Sequence, residues 1–157
     1  MIPEENPEER YCDLIEENLP LDHPYFLYLS EMNQAEAFIG LSISSGSRVQ
    51  ELRKILDMFD TLMNNLSDPD SKLADPDRKM LNHAEESWTD AKEKLSTGNE
   101  RTAYLMVASS HMFSALAYLE RTRKDSRFSS LVTDYLLKYL GKLAIYVYRE
   151  AMGHVLL

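Results

Sequence analysis

A chain of 157 residues, 44% of them hydrophobic, is long enough to bury one core and too short for two ordinary domains. Its 17 basic against 26 acidic side chains give a formal charge of -9, which repels phosphate backbones at long range and speaks against a nucleic-acid partner. A single cysteine, Cys12, excludes an intrachain disulfide and a thiolate metal cluster, and fits a reducing, cytoplasmic setting.

The start, Met1 to Glu9, is acidic and carries prolines, the opposite of a secretory or mitochondrial leader. Pro7 to Asn18 reads as a short helix with Tyr11, Leu14 and Ile15 on one side. Asp22 is placed to cap a second helix beginning near Pro24. It carries Phe26, Leu29, Met32, Phe38, Ile39 and Ile43 and ends or kinks at Ser44-Ser45-Gly46-Ser47. A third helix sets Val49, Leu52, Leu56, Phe59, Met63 and Leu66 at steps of three and four, flanked by Ile55, Met58 and Leu62, as a core-facing stripe.

Ser67 to Pro76 holds two Asp-Pro dipeptides and reads as a loop, with Asp75 as N-cap and Pro76 at the first helical position. The fourth helix lines up Leu81, Ala84, Trp88, Ala91 and Leu95, with Trp88 as its anchor, and stops at the Ser96-Thr97-Gly98-Asn99 turn. The fifth runs from Asn99 to about Arg123. Its apolar run, Ala103 to Leu119, contains Ser109, Ser110, His111 and Ser114 and is shorter than the ~20 residues of a membrane span, so it reads as a buried central helix. Asp125 or Ser126 is placed to cap a sixth helix that continues almost to the end. Prolines stop at Pro76 and strand-like alternation is absent. The expectation is an all-α fold, an antiparallel bundle of five to six helices built around a central αα-hairpin.

The run AEESWTDAKEKLSTGNERTAYLMVASSHMFSALAYLE resembles archaeal domain-of-unknown-function family 357, a small three-helix bundle. Ala84, Glu85, Trp88, Asp90, Ala91, Gly98, Asn99, Ala103, Ala108, Ala115 and Leu116 stand at the positions that carry the likeness. The resemblance implies a core unit over 48–123 within a single domain, 1–157, with helical additions at 1–47 and 124–157. It brings no activity and no cofactor.

Arg149 and His154 form an Arg-x4-His spacing that resembles the ribonuclease signature of HEPN-type helical domains. The resemblance implies that both act on a scissile phosphate at a dimer interface, in a ribonuclease or a nucleotidyltransferase companion. Five residues on a regular helix separate the two by ~140°, so they converge only if the helix breaks near Gly153. Glu150, where that family often has asparagine, sets a negative charge beside the arginine. For a metal, His83 with Glu86 and Glu150 with His154 each offer two ligands from one helical face, yet no Glu-x-x-His occurs in the chain and no cofactor is expected. His111, amid Val107, Ala108, Met112 and Ala115, reads as a satisfied core histidine. Ser109 and Ser110 point away from it around the helix.

The last helix is apolar on more than one side, through Leu131, Val132, Leu136, Leu137, Leu140, Leu143, Ile145 and Val147. It is followed by Val155, Leu156 and Leu157. These residues with Tyr146 are the expected contacts of a homodimer or of another protein partner held by the C-terminal helix. The expected function is that of a non-enzymatic interaction or assembly module.

Overall fold

The computed structural model describes residues 8–46, 49–83, 92–96 and 98–153. Trp88, Glu86 and His154 to Leu157 lie outside the described residues, so the expectations that rest on them are neither met nor contradicted. The segment that reads as a first helix is instead a β-hairpin. Strands Glu9–Cys12 (β1) and Glu17–Pro20 (β2) pair antiparallel, Arg10 opposite Leu19 and Cys12 opposite Glu17. Cys12 and Leu19, on one face of the pair, turn inward at 2% and 0% exposure. Tyr11, half of it in water, belongs to the opposite face. Glu16 closes the loop at φ 55, a left-handed value that no helix residue adopts. With strands this short, Tyr11, Leu14 and Ile15 satisfy a helical spacing as readily as a hairpin.

Helix α1 spans Pro24–Ser44 and is capped by His23, not Asp22, its Nδ1 accepting the Tyr25 N–H at 3.1 Å. The serine cluster does stop it. Ser44 and Ser45 donate their hydroxyls back to the Leu41 and Ser42 carbonyls, and Gly46 turns at φ 85. Helix α2, Val49–Asn64, buries Leu52 and Phe59 of the expected stripe together with the flanking Ile55, Met58 and Leu62, while Val49, Leu56 and Met63 are half-buried. Buried Asn65 then knits the loop by donating to the Pro69 and Ser71 carbonyls. Helix α3, Asp75–Asn82, has Ala74 as N-cap, one residue earlier than expected. A short helix, α4 (Lys92–Ser96), ends at Gly98, φ 76. Asn99 there caps α5, Glu100–Arg123, by accepting the Thr102 N–H at 2.9 Å. The turn of the expected hairpin is thus in place, with its α4 side described only over 92–96.

Residues 124–132 are turns that tuck Phe128 and Val132 into the interior. The last helix therefore starts later than expected. Thr133 caps α6, Asp134–Met152, by accepting the Leu136 N–H, and Gly153 ends it at φ 74.

Helix α5 lies antiparallel between α1 and α6, which are its principal neighbours. Phe38 stacks on His111 and meets Tyr104 across the α1 seam. On the other side Ser109 and Thr102 donate to the Ala144 and Ala151 carbonyls at 3.0 Å, each satisfying a buried hydroxyl. Helix α2 leans on α1 and α6, and α3 on α6. Much of the apolar surface of α6 finds cover within the chain: Leu136, Tyr139, Leu140, Leu143, Tyr146 and Val147 are buried, while Leu137 and Ile145 are half-buried. The fold is mostly helical with one small two-stranded sheet. No helix among the described residues is long and apolar enough to cross a membrane.

Candidate functional site

Glu150 is fully buried and its Oε1 accepts from Arg101 Nη2 at 2.8 Å, the guanidinium itself only 14% exposed. The pair ties the first turn of α5 to the last turn of α6. A charge so placed does not stand beside an RNA phosphate, as the sequence suggests, nor does it offer an uncommitted oxygen pair to a metal. Arg149, one position before it and ~100° round the helix, is half-buried. The helix does break at Gly153, the condition for Arg149 and His154 to converge, but His154 lies outside the described residues. His83 is exposed and serves as the C-cap of α3. Among the described residues no three of His, Cys, Asp and Glu gather as a metal site. Tyr146, expected at an interface, is 3% exposed in the chain's own interior, because α6 turns that face to its neighbours.

Two histidines do acquire carboxylate partners. His111 Nδ1 lies 2.6 Å from Glu31 Oε2 across the α1–α5 seam, its ring stacked on Phe38. It is a half-buried, satisfied histidine, in keeping with its apolar surroundings. His23 Nδ1 is occupied by the Tyr25 N–H, so the neutral ring carries its proton on Nε2 and donates it to Asp125 Oδ2 at 3.0 Å. Arg127 clasps the same carboxylate through Nε and Nη2 and lies 3.8 Å from Glu17 of the hairpin. These bonds, the Arg127 ones foremost and then that of His23, hold the Asp125 carboxyl well below the usual carboxylate range against the opposing effect of burial. Both nitrogens of His23 are used, so this cluster locks the hairpin and the α5–α6 turn to the start of α1. Spacing in the sequence gives no sign of either pair, whose members lie 80 and 102 residues apart.

Two surfaces remain. One is the outer side of α5, where Ser110, Ser114 and Ala117 are exposed and Ala103 and Val107 half-buried. From Thr102 to Leu119 this helix holds no Asp, Glu, Lys or Arg. The other is a groove of about 460 Å³ along α1, roofed at one end by Arg10 of β1 and lined by Phe26, Leu29, Ser30, Asn33, Gln34 and Ala37.

No curated protein matches the chain. Residues 11–153, from the first strand to the glycine that ends α6, match the domain of unknown function DUF1940, and the chain belongs to that family. The likeness read over 48–123 thus gives way to a family that takes in the hairpin, α1 and α6 as well.

Proposed function

We propose that this DUF1940 member is a non-enzymatic assembly module that self-associates through the outer stripe of α5. One observation carries the reading. A helix with no charge from Thr102 to Leu119 has the composition of a fully buried element, yet it leaves Ser110, Ser114 and Ala117 in water. Ala103, Val107, Ser110, Ser114 and Ala117 follow one another at steps of four and three, the spacing of a helix–helix seam. Their small side chains allow a second helix to approach to roughly 8 Å between axes. The stripe is also self-complementary. An antiparallel copy related by a two-fold axis through Ser110 sets Ala103 opposite Ala117 and Val107 within one residue's rise of Ser114, the isologous arrangement most dimers use. Each copy carries a formal charge of -9, and an uncharged stripe is where two such surfaces repel least.

Light scattering at high protein concentration should report about twice the chain mass of 18.1 kDa. The double variant Ser110→Glu, Ser114→Glu, which adds charge at positions exposed in the single chain, should return the mass to one copy. A wild type that stays at one chain mass at every concentration defeats the reading. The rival reading, a HEPN-like ribonuclease or nucleotidyltransferase companion using Arg149 and His154, draws on the left-handed Gly153 that stops α6 between them.

A further inference from the structure

We infer that the groove between β1 and the outer face of α1 binds a small organic carboxylate with an apolar body, held through Arg10. On β1, Arg10 lies on the same strand face as buried Cys12 and directly opposite buried Leu19, so it is aimed at the body of the protein. Its guanidinium carbon sits 5.1 Å above the centre of the Phe26 ring. Stacking on an aromatic face fixes the plane of the fork, so less side-chain freedom is lost when the fork closes on an anion. A guanidinium offers parallel N–H donors that match the two oxygens of a carboxylate.

The rest of the lining fits such a ligand. Ser30, Asn33 and Gln34 supply a hydroxyl and two amides, groups that donate or accept without a charge. Phe26, Leu29 and Ala37 supply apolar wall. Among the described residues no carboxylate lines the groove, in a chain with 26 acidic side chains. Two smaller hollows show the contrast: one carries Asp13, the other Glu8 and Asp22. A volume of about 460 Å³ lies in the range of small-molecule sites, roughly 300 to 1,000 Å³. On a surface of net negative charge, one stacked arginine beside uncharged donors and an apolar wall selects an anion that also has something to bury. The groove runs along α1 and stands apart from the α5 stripe, so it does not depend on self-association.

The probe is 3-phenylpropionate, followed through the backbone and side-chain amide signals of isotope-labelled full-length protein. Ser30, Asn33 and Gln34 should shift saturably, with a midpoint in the millimolar range. Propionate, lacking the ring, and 3-phenylpropan-1-ol, lacking the charge, should each bind at least tenfold more weakly. Arg10→Gln should lose tenfold or more, and Arg10→Lys, which keeps the charge without the fork, should not restore it. Asn33→Ala with Gln34→Ala, at exposed helix positions, should weaken binding several-fold with the hairpin untouched. Arg53→Gln on α2 should change nothing. Equal binding of the alcohol, undiminished binding by Arg10→Gln, or equal shifts from inorganic phosphate at the same amides would each overturn the inference.

Discussion

Removing the guanidinium of Arg101 while leaving Glu150 in place should be among the most damaging single changes this fold can suffer. The carboxylate is fully buried, and Arg101 Nη2 lies 2.8 Å from it as a cation of the pair. With Arg101→Met the stem is replaced by apolar volume, so packing is roughly conserved and the loss is electrostatic. Removing one partner of a buried ion pair typically destabilises by about 3 to 5 kcal/mol. Urea denaturation followed by far-ultraviolet circular dichroism reads this directly. With a slope of about 2 kcal/mol per molar urea, as is usual for a chain of this size, the midpoint should fall by about 1.5 to 2.5 M. The double variant Arg101→Met, Glu150→Met separates the pair from its surroundings. Two apolar side chains remove both desolvation penalties, and the double variant should recover to within about 1 kcal/mol of the parent. A single variant within about 0.5 kcal/mol of wild type would mean that the carboxylate reaches water or another cation, and the account of the α5–α6 junction would fail.

The Asp125 cluster gives a pH dependence of known sign. Its carboxyl is held below the range of an unfolded aspartate, so its contribution to stability is fully present above about pH 4 and is lost as the pH falls through the lowered folded value. Thermal unfolding of Asp125→Asn between pH 2 and 7 should therefore show a flatter acid limb than wild type, and parallel limbs would remove the cluster from the stability account. Incubation with single-stranded RNA at low salt should yield no cleavage, because the chain's charge of -9 opposes phosphate binding most strongly there. Cleavage that disappears in His154→Ala would transfer the function to the HEPN-like reading.

Long amphipathic elements were legible because their period is local. The stripe of α2, the Gly98-Asn99 stop and start, and the end of α1 at Ser44 all follow from residues within a few positions of one another. The hairpin was not legible, since four-residue strands hold too few alternations to outvote a helical spacing. Caps slipped by one residue or more for a related reason. Asp22 and Asp75 are good cap types, but His23 wins the first position through a bond to Asp125 on the far side of the chain, and Ala74 the second without any side-chain bond. The start of α6 moved to Thr133 because Phe128 and Val132 are needed in the interior, which no local rule for residues 124–132 expresses.

The same limit shaped the reading of the surface. Apolar side chains on several sides of α6 suggest a partner; α5, α2 and α3 bury Leu136, Leu140, Leu143, Val147 and Tyr146, while Leu131, Leu137 and Ile145 stay half-buried. The proposed seam lies instead on α5, whose uncharged run reads as a helix meant for a central place. Its inner face is filled by Leu105, Ala108, Met112, Ala115 and Leu119, all at 0% exposure, and its flanks by α1 and α6. Selection for core packing and for solubility would each allow charges at Ser110, Ser114 and Ala117, because those positions face water in the single chain. An 18.1 kDa chain with 27% charged residues puts none there, and the proposed pairing of two α5 helices along the stripe would account for it.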